Sequence, residues 1–88
     1  MPYIDKNLRP KYDQVLNQMP DIDTKGDLEY CIFKLMKRFM RTREFKYSTL
    51  HEVVYCSHHC GDEYRRRYLD KREDEAREKN GDIEWLKN

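Results

Sequence analysis

Residues 47–82 read YSTLHEVVYCSHHCGDEYRRRYLDKREDEAREKNGD, and the fold turns on whether this stretch is one helix. Its head carries Thr49 followed by Glu52, a capping-box spacing just ahead of the apolar pair Val53 and Val54. Its end carries Asn80-Gly81, a strong stop signal. Unbroken from Leu50 to Lys79, such a helix is about 45 Å long at a rise of about 1.5 Å per residue. That exceeds the width of a compact domain of this size. The distal half must therefore be solvated or meet a partner. The inward face of the first half is expected at Leu50, Val53, Val54, Ser57, Gly61 and Tyr64. Ser57 and Gly61 are small enough to let another helix cross closely. Beyond Asp70 apolar residues nearly vanish, and EDEAREK (73–79) is expected to be a solvated helix with Glu73–Arg77 and Glu75–Lys79 pairs. After Gly81, the apolar Ile83, Trp85 and Leu86 form a short tail in which Trp85 is a candidate docking anchor.

Working back toward the N-terminus, residues 21–44 (DIDTKGDLEYCIFKLMKRFMRTRE) carry the clearest helical pattern. Leu28, Cys31, Ile32, Leu35, Met36 and Phe39 recur at three- and four-residue spacing, and the expectation is that this stripe is core. Asp23, Thr24 and Asp27 suit the start of the helix, and Lys37, Arg38 and Arg41 suit its end. Residues 1–20 open with an extended arm. A short helix is expected from roughly Leu8 to Met19, with Leu8, Tyr12, Val15, Leu16 and Met19 on one face. Pro10 is tolerated in its first turn and Pro20 ends it. The expected fold is all-α, a single domain over residues 1–88. It has a short N-terminal helix, a core helix and a long C-terminal helix, and it is expected to be oligomeric.

Size and composition bear on that last point. A chain of 88 residues buries only about 60–65% of its unfolded surface when it folds alone. Charged residues make up 40% of the chain and the apolar set 38%, so a core is scarce, while 12% aromatic content argues against disorder. Such a chain is expected to complete its core by association. The net charge of +1 names no partner, but its distribution is uneven. Lys34, Lys37, Arg38, Arg41, Arg43 and Lys46 cluster in one stretch and Arg65, Arg66, Arg67, Lys71 and Arg72 in another. Acid collects at Asp21, Asp23, Asp27 and Glu29, and again at Glu73, Asp74 and Glu75. The plain reading is solvated helix faces with ordinary ion pairs; the sharper one is two basic patches that meet and hold an anion. The odd count of three cysteines and the lack of a signal-peptide pattern lead to an expectation of free thiols in a cytoplasmic setting. No apolar run approaches the ~18 residues of a membrane span.

Catalytic and metal chemistry find little support. CSHHC (56–60) is the densest set of possible metal ligands. On a helix, Cys56 and Cys60 share a face and His59 its edge, which supplies three ligands at best. The fourth would have to come from Cys31, His51 or Asp62, and no second paired motif exists to complete a structural zinc site. The bland reading, in which a cysteine packs as a small hydrophobe, is preferred, so neither metal nor cofactor is expected. Cys60 beside His59 is not a nucleophile and its base, because consecutive helical residues do not face each other. No nucleotide-loop or nucleophile-elbow motif is present, and no enzyme is expected.

The start MPYIDK, the HEVV at 51–54, the YRRRY at 64–68 and the close EDEAREKNGDI are similar to a family of small proteins from tailed phages and some bacteria, the domain of unknown function DUF6899. The resemblance runs from Met1 to about Ile83. It implies a helical fold and a phage origin, hence a host-cell cytoplasmic location, and no catalytic residues. Family members do not share the CSHHC cluster. The end motifs, Met-Pro-Tyr-Ile at 1–4 and Asn-Gly-Asp-Ile at 80–83, are not core positions of a small bundle and are expected to fix how the chain ends dock. The leading functional expectation is a non-enzymatic binder, a sponge that captures a nucleotide-type signal of host antiviral defence in a pocket between copies. Arg65 and Arg66 are first choices for phosphate contacts, with Lys34 and Arg38 on the neighbouring helix and Tyr64 or Tyr3 stacking on the base. The alternative is a protein that covers a host protein. Nucleic acid is a poorer fit, since a balanced charge with acidic flanks would weaken binding to a polyanion.

Overall fold

A computed structural model describes residues 2–84. Among them every regular element is helical. A 3₁₀ turn, Lys6–Leu8, leads into α1, Pro10–Leu16. Two longer helices follow, α2 at Lys25–Met40 and α3 at Tyr47–Tyr64. A π turn at Arg65–Leu69 then joins α3 to α4, Asp70–Asn80. The junction residues Tyr64, Arg65, Leu69 and Asp70 all keep right-handed helical dihedrals. Residues 47–80 are therefore one rod, about 50 Å long, along a molecule whose longest extent is 53 Å.

Local chemistry explains the boundaries. The Asp5 carboxylate accepts from the Asn7 N–H at 2.8 Å and opens the first turn. Pro10 occupies the first position of α1, where its missing N–H costs nothing. Thr24 caps α2 by accepting from the Asp27 N–H at 3.0 Å, as the sequence led one to expect. The expected start of the long helix at Thr49 is corrected. Lys46 is the cap residue and Thr49 sits inside the first turn, where its hydroxyl oxygen accepts from the Lys46 N–H at 3.2 Å. The same hydroxyl donates to the Glu44 carbonyl, tying the α2–α3 loop to the helix head. Gly81, at φ 87°, supplies the stop in a conformation that a side chain disfavours. The ion pairs on α4 are Arg72–Glu75 at 3.6 Å and Asp74–Arg77 at 3.8 Å, not the expected Glu73–Arg77 and Glu75–Lys79. The expected docking of Trp85 lies outside the described residues.

The core is the larger correction. α2 packs on α3, yet the buried side chains among the described residues are Val53, 7% exposed, and Thr49, 9% exposed. On the α2 stripe expected to be core, Cys31, Met36 and Phe39 are half-buried. Leu28, Ile32 and Leu35 remain 48%, 40% and 51% exposed. On the inward face expected for α3, Leu50 and Ser57 are half-buried, while Val54, Gly61 and Tyr64 are open. No atom lies within 4 Å of where a Cβ on Gly61 would stand, so no helix crosses there. α1 packs only against the turn before it, which leaves Leu8, Tyr12, Val15 and Leu16 exposed. The physical reason is the absence of a second layer: one hairpin covers one side of each apolar stripe. The accessible surface is 8990 Å², against about 5,600 Å² for a compact monomer of this mass. The radius of gyration is 18.0 Å, against about 12 Å for a compact chain of this length.

Candidate functional site

The extended N-terminal arm docks on the middle of the rod. The Tyr3 hydroxyl donates to Glu63 Oε1 at 3.4 Å and accepts from Arg67 Nη1 at 2.9 Å. Arg66 reaches the same carboxylate oxygen, Nε at 3.0 Å and Nη2 at 2.5 Å. The Arg67 guanidinium lies 5.9 Å from the Tyr3 ring centre and 5.5 Å from that of Tyr68. Behind Tyr3, Arg9 Nε donates to the Ile4 carbonyl at 2.9 Å and folds the arm onto its own turn. The hydrogen bond from Arg66 holds the Glu63 carboxyl below its ordinary value, with Tyr3 and the charges of Arg66 and Arg67 adding to it against partial burial. Arg66 is raised by its bond to Glu63, and Arg67 by its bond to Tyr3. A hollow of about 300 Å³ beside this cluster is lined by Pro2, His59, Asp62, Glu63 and Arg66.

The cluster coincides with the π turn. The Asp70 N–H bonds to the Arg65 carbonyl, five residues back. One extra residue in a turn re-phases the helix by about 100°, so the residues after it project from another side of the rod. Tyr64 and Tyr68 pair across the turn, ring centres 4.8 Å apart.

A second concavity lies in the crook of the α2–α3 hairpin. It measures about 810 Å³ and is lined chiefly by apolar side chains, Leu35, Phe45, Leu50 and Val54 among them, with Lys34, Lys37, Arg38 and Arg41 also on its wall. Among the described residues none of these four cations has an ion-pair partner.

The expected binding residues are thus divided. Tyr3 and Arg66 meet through Glu63. Arg65 makes no side-chain hydrogen bond or ion pair among the described residues, and Tyr64 pairs with Tyr68, the rings tilted by 51°, not with Tyr3. Lys34 and Arg38 belong to the hairpin hollow, which shares no residue with the hollow beside Arg66. α3 accounts for the separation: Arg65 follows eighteen helical residues, about 27 Å of rise from the hairpin bend. Arg67, the cation that holds Tyr3, was missed as a site residue; the tyrosine two residues into the chain gave no sign of which arginine it would meet. Also missed was a ladder on α3 of Tyr47, His51, Tyr55 and His59, successive ring centres 4.3, 5.7 and 6.4 Å apart. The four-residue spacing of these rings was the available signal. The ladder takes His59 out of the CSHHC motif. Cys56 and Cys60 are exposed, Cys31 is half-buried, and all three are free thiols. Among the described residues no group of three or more potential ligands could hold a metal ion, and no helix is long and apolar enough to cross a membrane.

The family described as a domain of unknown function, DUF6899, matches residues 1–83, and the chain belongs to it. Comparison with curated proteins and with solved structures gave no match.

Proposed function

We propose that this DUF6899 protein is a stoichiometric binder without catalytic chemistry, that it works as an assembly of copies, and that it takes up a nucleotide-type anion. The observation that carries the reading is the strip at 64–68. There the exposed Arg65 has no acidic partner among the described residues, and the Tyr64–Tyr68 ring pair lies in the same turn of the rod. A free guanidinium and an aromatic pair within one turn suit a phosphate and a base together. Arg66 is the weaker phosphate ligand of the two, because the Glu63 carboxylate already occupies it. In the tailed-phage setting that the family resemblance implies, such a binder removes a nucleotide signal of host defence from the cytoplasm. The test is native mass spectrometry of the untagged protein with a panel of cyclic and ADP-ribose-type nucleotides. Discrete ligand masses are expected on the wild type and lost on Arg65→Ala with helix content unchanged. Affinity retained in full by R65A overturns the assignment.

A second reading has its own support. The hairpin hollow is apolar and rimmed by cations that have no ion-pair partner among the described residues, which suits an amphipathic acidic helix of another protein. Retention of one host protein from lysate, lost on Phe45→Glu, would favour it over a nucleotide.

A further inference from the structure

We infer that α2 is the self-association surface of this protein, and that it packs antiparallel on the α2 of a second copy about a two-fold axis near Ile32 and Phe33. The inference rests on the reading that the chain works as an assembly and names the surface that builds it.

Three observations lead there. The first is area. Each chain exposes about 3,400 Å² more than a compact monomer of its mass, far above the ~800 Å² that one partner contributes to a standard interface. The second is the open apolar stripe. Leu28, Ile32 and Leu35 run along one line of α2 and are 40–51% exposed, although their spacing is that of a buried seam. The third is charge. Asp27, Lys34 and Arg38, at i, i+7 and i+11, border that stripe on one edge. The edge is acidic at the helix start and basic toward its end, and neither Asp27 nor Arg38 has an ion-pair partner among the described residues.

A surface that pairs with itself about a two-fold axis must be self-complementary. Reversing α2 on its own copy sets Asp27 against Arg38 of the second copy, and Arg38 against its Asp27, while Leu28, Ile32 and Leu35 close between them. The parallel arrangement would set like charge on like. The exposed apolar face of α1 is a poorer occupant of the same region. Arg9 and Lys11 accompany it and would approach the basic rim of the hairpin hollow.

The test is sedimentation of full-length chains at low salt. The wild type is expected to associate. D27K and R38E are each expected to weaken association by roughly tenfold or more, because each places like charges together at two symmetry-related points. The double variant D27K/R38E is expected to regain it, since both pairs are then restored with opposite sign. Both substitutions oppose the helix dipole, so a fold defect would add in the double variant and not cancel; circular dichroism monitors this. A wild type that remains monomeric overturns both the assembly reading and this interface. An associating wild type with indifferent single variants overturns the interface alone, as does a double variant that stays dissociated.

Discussion

Two side chains show how much of this protein hangs on single polar contacts. Thr49 is buried, and its hydroxyl serves the Lys46 N–H and the Glu44 carbonyl together. Replacement by Val keeps the shape and removes both hydroxyl bonds, leaving the Lys46 N–H and the Glu44 carbonyl only their bond to each other at 3.0 Å. T49V is expected to lose about 1 kcal/mol in urea denaturation, more than the few tenths of an ordinary surface change. Glu63 performs the corresponding task for the arm. Its carboxyl is held below its ordinary value by the hydrogen bond from Arg66, so the folded arm favours the ionised form. The sign follows: docking is complete above the usual glutamate value and is lost as pH falls through the lowered folded value. The protection of the residue 3–9 amides against exchange, corrected for the intrinsic pH dependence of exchange, is expected to be greatest at neutral pH and to fall in acid once the pH drops below the ordinary glutamate value. Glu63→Gln is expected to exchange faster at neutral pH and to show no acid transition, because Arg66 and Arg67 stay charged throughout. A flat wild-type profile would mean that Tyr3 docks without the carboxylate.

At the scale of elements, much was legible and the exceptions have causes. α2 announces itself because its cap, its apolar period and its terminal charges agree, and Thr24 sits where that agreement puts it. Gly81 ends the rod as the Asn-Gly pair implies. The head of α3 was misplaced by three residues because Thr49 satisfies two capping roles: a threonine can receive the first turn or stand inside it, and Glu44 decides between them from outside the helix. The π turn was illegible, since a wide turn leaves no mark in periodicity over five residues. Gly61 was read as a crossing point on the strength of its size, yet nothing approaches it. That error converts into a measurement. Gly61→Ala is expected to stabilise the isolated chain by about 0.5–1 kcal/mol, the usual difference within a helix, in thermal or urea unfolding at low concentration. A loss that grows with protein concentration would instead place a second copy against Gly61.

At the scale of the molecule, the separation of Lys34 and Arg38 from Arg65 and Arg66 follows from the length of the rod, and the sequence could show only that both patches are basic. Distance between patches depends on how the hairpin folds back, which the spacing of charges along the chain does not encode. The exposed stripe of Leu28, Ile32 and Leu35 was misread for a related reason: periodicity reports that a face is apolar, and it is silent on whether the same chain covers it. A protomer with one buried apolar side chain, Val53, among its described residues has little to hold it in isolation. On the proposed assembly, its stability is tied to association by mass action. For a dimer of this size, each tenfold rise in protein concentration is expected to raise the unfolding midpoint by about 4 °C. Dilution toward the dissociation constant is expected to lower helicity as well as particle mass. Scattering on the dissociated species before it unfolds should return a radius of gyration near the 18.0 Å of the single chain. A midpoint indifferent to concentration over two decades would show that one hairpin supports itself, and the uncovered stripe would then have to be occupied by a different molecule.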